Sequence, residues 1–245
     1  MLASRPKLVS GSTGPSAGNT AVEGFVARGG PAIFAAAGVG HRAPERAPCA
    51  RPSRCTAGEY DMAIRMATVA DVVAIARLHV ESWRTTYKGI VPADFLANLT
   101  YAQREPLWRE VLSKPASASL VYVAEDARGD IVGFASGGPE RSRDPVYSGE
   151  LYAIYLLESW QRQGLGRQLT ITLIGQLVQV GLTSLLVWVL AENRSRRFYE
   201  ALGGQQVRQQ SVTIGGAELI EMAYGWLDAR TIIDAQERPP RLPGA

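Results

Sequence analysis

Cysteine is nearly absent from this chain of 245 residues: Cys49 and Cys55 are its two, and both precede residue 62. From residue 62 onward there is no thiol nucleophile, no thiolate metal site and no disulfide, which fits a reducing, cytoplasmic setting. Histidine is as scarce, with His41 in the same leading stretch and His79 beyond it. One imidazole cannot form a His-rich metal cluster, so no metal is expected. Beyond residue 61 no Gly-x-Ser-x-Gly elbow presents a serine to that imidazole either. Long apolar runs are missing too: the longest, Leu151 to Leu157 and Leu185 to Ala191, fall well short of the ~18 residues that span a bilayer, so no membrane partner is expected. The charge is almost balanced, 26 Lys and Arg against 23 Asp and Glu. That lacks the concentrated basic surface non-specific nucleic-acid binding needs, and nucleic acid is not an expected partner.

What is there divides in two. Residues 1–61 are crowded with Gly, Ala, Pro and Ser, show neither helical nor strand period, and carry all of the net charge of +3. They read as a disordered leader or as a mis-assigned extension before Met62. Residues 62–229 read as one folded domain. The last stretch, 230–245, with Pro239, Pro240 and Pro243, reads as a flexible tail, loose from about Thr231.

Within the domain, Ala63 to Ala67 alternates as a short strand, and Thr68-Val69-Ala70-Asp71 has the form of a capping box that opens a helix to about Tyr87. Helix is expected again from Pro92 to about Lys114, in two pieces divided near Thr100. Leu120–Ala124 and Ile131–Ala135 flank a polar turn as a hairpin would, and Glu150–Leu156 makes the next strand. Leu165, Leu169, Leu173 and Leu177 put one stripe on a helix from Gly164 to about Val180. Ser184–Leu190 is a nearly all-apolar strand of the kind covered on both faces, and Asn193–Leu202 a short helix. Two strands, Val207–Ile214 and Ala217–Trp226, flank the hairpin turn Gly215-Gly216. This order describes a mixed α/β sheet without internal repeats.

The segment from Glu150 to Arg167 is the most informative. A strand runs into Gln161-Arg162-Gln163-Gly164-Leu165-Gly166-Arg167 and then straight into the leucine-striped helix. Such a turn offers consecutive backbone N–H groups at the positive end of a helix, and glycine lets an anion approach the main chain. Phosphate is the expected ligand, with Arg162 and Arg167 placed to add charge-assisted hydrogen bonds. The pattern is neither a Walker loop nor a three-glycine dinucleotide fingerprint.

Gln161, Gly164 and Gly166 resemble the Gln/Arg-x-x-Gly-x-Gly/Ala segment of the GCN5-related N-acetyltransferases, and the element order over Ile64 to Asp228 is similar to that fold. Asn193 to Gly204 resembles the family's Asn…Phe-Tyr-x-x-Leu-Gly block. Two positions depart from the pattern: Glu158, where proline is common, and the short spacing from Asn193 to Phe198. The resemblance implies a mixed, mostly antiparallel central sheet with helices on both faces, and an acetyl-coenzyme A-dependent N-acetyltransferase acting on a primary amine by direct attack in a ternary complex. It also implies that residues 161–167 hold the pyrophosphate and that the strand ending in Tyr155 and Leu156 pairs with pantetheine. The N–H of Leu156 would then face the oxyanion, Asn193 would bond the cofactor arm, and Tyr199 would protonate the thiolate.

Glu150 is the candidate general base by the same resemblance, or else a strand-edge glutamate in solvent. Alternation puts it on one face with Tyr152 and Ile154, opposite Leu151, Ala153 and Tyr155. Asn193 also suits an N-cap. His79, Trp83 and Tyr87, at i, i+4 spacing, either line an acceptor pocket or fill the core. The acceptor is a small-molecule or peptide amine, the state monomer or homodimer. The other functional class is a non-catalytic acyl-coenzyme A sensor, in which Tyr199 only packs.

Overall fold

The computed structural model describes residues 62–114 and 119–237; the readings made above for residues 1–61 and 238–245 lie outside these. The chain runs β1 (Ala63–Met66), a 3-10 turn (Val69–Asp71), α1 (Val72–Thr86), α2 (Ala93–Ala97), α3 (Tyr101–Ser113), β2 (Leu120–Glu125), β3 (Ile131–Pro139) and β4 (Gly149–Leu156). There follow a 3-10 turn (Glu158–Trp160), α4 (Leu165–Gln179), β5 (Leu185–Leu190), α5 (Arg196–Ala201), β6 (Gln205–Ile214), β7 (Ala217–Trp226) and α6 (Arg230–Glu237).

The strands form a seven-stranded sheet in the order β1-β2-β3-β4-β5-β7-β6. Every pair is antiparallel except β4 with β5. As α4 connects those two, the parallel pair is a βαβ crossover, which demands a helix across one face of the sheet. Leu165, Leu169, Leu173 and Leu177 meet that demand, buried with Leu151, Ile154 and Leu156 of β4 and with Val187 and Val189 of β5. On the other face Trp83 of α1 and Trp108 of α3 pack around Phe134 of β3 and Tyr155 of β4. With both faces covered, β5 is buried along its whole length.

Local chemistry explains the helix starts. The Thr68 N–H donates to Asp71 Oδ2 at 2.7 Å, and Arg65 of β1 holds the same carboxylate through two nitrogens at 2.8 Å. The Arg65 guanidinium keeps the Asp71 carboxyl down at about 2. Thr100 accepts from the Gln103 N–H at 3.3 Å and divides α2 from α3, where the division was expected.

Strand β3 runs four residues past the expected Ala135 and β6 starts two before Val207, and two helix boundaries differ as well. The stretch from Thr231 onward was expected to be loose, but Arg230–Glu237 is helical. The trailing prolines hid an apolar stripe: Ala229 and Ile232 are buried in the α4 core, and the Ala229 N–H donates to Thr183 O at 2.8 Å. The short helix expected from Asn193 begins only at Arg196, because the Asn193 side chain folds back to accept the Ser195 N–H at 2.9 Å. Asn193 therefore closes a turn ahead of the helix and does not cap it.

Candidate active site

β4 and β5 are hydrogen-bonded only over Gly149↔Leu185, Glu150↔Leu186 and Leu151↔Val187. Beyond that point β4 keeps β3 and β5 keeps β7, so the two strands part and leave a cleft in the sheet. A bulge marks where this happens. Ser136 pairs with Ala153 but Gly137 pairs with Leu151, leaving Tyr152 as the extra residue. Glycine is required at 137: a Cβ there would lie 2.8 Å from Glu150 O and 3.1 Å from Leu177 Cδ1.

The bulge corrects the face assigned to Glu150. One extra residue inverts the alternation beyond it, so Ile154 joins Leu151 on the α4 face and Tyr155 lies on the face of Glu150. The solvated alternative fails as well, since Glu150 is 3% exposed. Arg141 engages both of its oxygens, Nε on Oε2 at 3.0 Å and Nη2 on Oε1 at 2.5 Å.

At the open end of β4 the Leu157 N–H donates to Val132 O on β3 at 2.9 Å. Successive N–H groups of a strand point to opposite sides, so the Leu156 N–H is turned away from β3 and into the cleft. Gln161 Nε2 donates to Leu156 O at 3.1 Å, tying the following turn to the strand end. In that turn Arg162 has φ +62° and Gly164 φ +84°, both left-handed, and Gln163 Nε2 donates to Ser159 O at 2.8 Å. The first helical bond of α4 runs from Gln168 N–H to Gly164 O at 3.1 Å. The N–H groups of Leu165, Gly166 and Arg167 precede it and have no helical carbonyl to meet, while the region around Gly164 is open, with nothing within 4 Å of the place a Cβ would take. Such a helix N-terminus can hold an anion, and Arg162 is exposed and Arg167 partly so at its edge.

Tyr199 of α5 is 1% exposed and stacks on Tyr224 with ring centres 6.2 Å apart. Burial first, and then the nearby Tyr155, push its hydroxyl well above the ordinary phenol range, so it keeps its proton. Tyr87 interacts with Tyr155, Tyr199 and Asn193, and the Tyr155 hydroxyl accepts from Trp83 Nε1 at 2.8 Å. Fold and sequence thus bring Tyr155, Asn193 and Tyr199, each from a different element, to one cluster beside the cleft. Of the aromatic stripe on α1, His79, Trp83 and Tyr87 are all buried, which is the core reading. His79 Nδ1 accepts from Trp108 Nε1 at 3.1 Å, and burial, with Arg104 second, lowers its pKa well below the ordinary value. Its acceptor nitrogen is in use, and it is no base for an incoming amine.

One acidic residue escaped the sequence reading. Glu221 of β7 is 2% exposed; its Oε1 accepts from Gln210 Nε2 at 2.6 Å and its Oε2 has no hydrogen-bond partner. The signal was a carboxylate inside the apolar run Leu219-Ile220-Glu221-Met222-Ala223. Burial pushes it up to about 7; Glu150 adds to the rise, while Gln210 and Arg141 oppose it. Folded protein then holds a proton that the unfolded chain releases near 4.5, so this group stabilises the fold fully below that pH and ceases to as pH rises through about 7. Thermal melts should show stability declining from pH 5 to 8, by at most about 3 kcal/mol from this group, with a smaller decline in Glu221→Gln. An equal decline in the variant would assign it elsewhere.

A parted parallel strand pair with a helix N-terminus at its mouth and a buried phenol beside it is the arrangement the sequence resemblance implied for an acyltransferase. The family model described as FR47-like protein matches residues 140–213, the span from the loop before β4 to β6. An uncharacterized N-acetyltransferase of Bacillus subtilis (strain 168), YuaI, is 45% identical over 165 residues, which is 67% of this chain and 92% of that protein. Among solved structures, the PaiA N-acetyltransferase of Thermoplasma acidophilum in complex with coenzyme A superposes with a TM-score of 0.54 at 20% identity, covering 68% of this chain and 99% of the other. YncA of Salmonella typhimurium, with its cofactor acetyl-CoA, gives 0.55 at 24% identity, covering 76% and 99%. The chain belongs to the GCN5-related N-acetyltransferase family and is an acetyltransferase. Among the described residues no group of His, Cys, Asp and Glu is arranged to hold a metal ion, and no helix is long and apolar enough to cross a membrane.

Proposed function

We propose that the protein transfers the acetyl group of acetyl-coenzyme A to a primary amine, on a small molecule or a peptide, by direct attack within a ternary complex in the cytoplasm. The observation that carries this reading is the cradle of free N–H groups around Gly164, set at the mouth of the cleft between β4 and β5. The N–H groups of Leu165, Gly166 and Arg167 receive the pyrophosphate, with Arg162, Gln163 and Arg167 beside them and Gln161 fixing the turn. Polar main-chain groups of β4 through Tyr155 and Leu156 face the pantetheine, and Asn193 lies across from them on the β5 side.

In the cleft the amine nitrogen attacks the thioester carbon, and the Leu156 N–H meets the charge that develops on the oxygen. The C–S bond breaks, and Tyr199 gives its proton to the departing thiolate. An acetyl-cysteine intermediate is not part of this route, because no cysteine follows residue 55. Acetyl-coenzyme A supplies the activated acyl group; the protein supplies position, an oxyanion donor and a proton.

Calorimetry on Gly164→Val tests the assignment. A β-branched residue at φ +84° costs about 1–2 kcal/mol of backbone strain and puts methyl groups where the phosphate must approach. Acetyl-coenzyme A affinity should fall at least ~10-fold while the variant still melts cooperatively. Unchanged affinity in a folded variant would refute the cradle.

A further inference from the structure

Glu221 and Glu150 lie on one face of the sheet. On β7, Met222, Tyr224 and Trp226 pack into the α4 core, so Glu221 and Ala223 point the other way. Ala223 clusters there with Leu186, Trp188 and Tyr147, and Leu186 is the register partner of Glu150. Glu221 itself pairs with Leu190, the last residue of β5, in the stretch where β5 has parted from β4. The Ala191 N–H donates to Ile220 O at 2.8 Å, and Asn193 of the active-site cluster is two residues further on.

The two carboxylates are not equivalent. Both oxygens of Glu150 are engaged by the guanidinium of Arg141, which also lies over the Tyr152 ring at 4.0 Å. Glu221 has no cationic hydrogen-bond partner among the described residues; one oxygen accepts from a neutral amide and the other is buried and unbonded. A carboxylate oxygen without a hydrogen-bond partner can take a proton, whereas both oxygens of Glu150 are engaged.

Resting on the acetyl-transfer reading above, we propose that Glu221, and not Glu150, accepts the proton released by the attacking amine. As the N–C bond forms and the C–S bond breaks, the amine proton passes to the Glu221 carboxylate while the thiolate takes its own from Tyr199. Glu221 then returns its proton to solvent and Tyr199 takes one back, which restores both groups. A group that ionises at about 7 is matched to that task near neutral pH. The groups facing it are Glu150, Arg141 and Gln210.

The test follows thiol release from saturating acetyl-coenzyme A between pH 5.5 and 9, with spermidine and separately with water as the acceptor. The wild-type rate should rise through a midpoint near 7. Glu221→Gln, which keeps the shape and removes a poorly solvated charge, should lose that limb and run about 10²-fold slower at pH 8, with unchanged coenzyme affinity and a melting temperature no lower than that of wild type. Glu150→Gln should keep the limb and move it to lower pH, because a negative neighbour is gone and Arg141 is freed. A limb that persists in Glu221→Gln, or that vanishes only in Glu150→Gln, overturns the proposal and leaves the acetyl-transfer reading standing. Wild type that releases no thiol to either acceptor removes that reading, and this proposal with it. Should Glu221→Gln not fold, Glu221→Asp, which retains the carboxyl on a shorter stem, must keep the limb at a reduced rate; loss of the limb in Asp would count against Glu221.

Discussion

Tyr199→Phe is expected to turn over about 10–10³-fold more slowly than wild type while binding acetyl-coenzyme A and melting as wild type does. The ring is what the core uses: Tyr199 is buried and packs on Phe198, Tyr224 and Trp226, and phenylalanine keeps all three contacts. The hydroxyl is what the proposed reaction uses. Burial raises its pKa, so Tyr199 stays protonated throughout the working pH range, as the proposed acid must. The loss is bounded because a coenzyme thiolate leaves fairly readily and water can take over the donation. Single-turnover thiol release isolates the chemical step. Undiminished turnover with chemistry limiting would take Tyr199 out of the reaction, and tight coenzyme binding with no turnover to any amine in wild type would favour the sensor reading.

Arg141→Ala should lower stability by about 3 kcal/mol, the low end for breaking a buried ion pair because Arg141 is 21% exposed while Glu150 is 3% exposed. Substitution strips both oxygens of Glu150 of their partner and leaves a buried carboxylate uncompensated. It also removes the cation over Tyr152 and the one positive neighbour of Glu221. A drop of roughly 6–12 °C in melting temperature is expected for a folded body of this size. Arg141→Ala combined with Glu150→Gln should recover most of it, since the cost lies in the orphaned charge more than in the lost attraction. A single variant that melts within 2 °C of wild type would show that water replaces the guanidinium.

The glycine turn was legible because its chemistry is local. Gly164 and Gly166 between a strand and a leucine-striped helix imply a left-handed turn and open N–H groups whatever the rest of the chain does, and Gly164 indeed has φ +84°. The α4 stripe and the buried β5 were legible for the same reason, each being a run whose period states which face is covered. The tail was misjudged because three prolines downstream outweighed Ile232, whose partner is a helix some sixty residues earlier.

By itself, then, the sequence determined the order of elements and the left-handed glycine turn ahead of α4, because hydrophobic period, glycine and capping residues act over a few positions. Only the tertiary structure decided which buried carboxylate keeps an unbonded oxygen. Tyr152 is an extra residue only relative to β3, Glu150 is neutralised by an arginine of the loop before β4, and Glu221 is set opposite Leu190 by the pairing of β7 with β5. A residue's proton affinity depends on what surrounds it in space, and those neighbours come from 9 to 80 positions away in the chain.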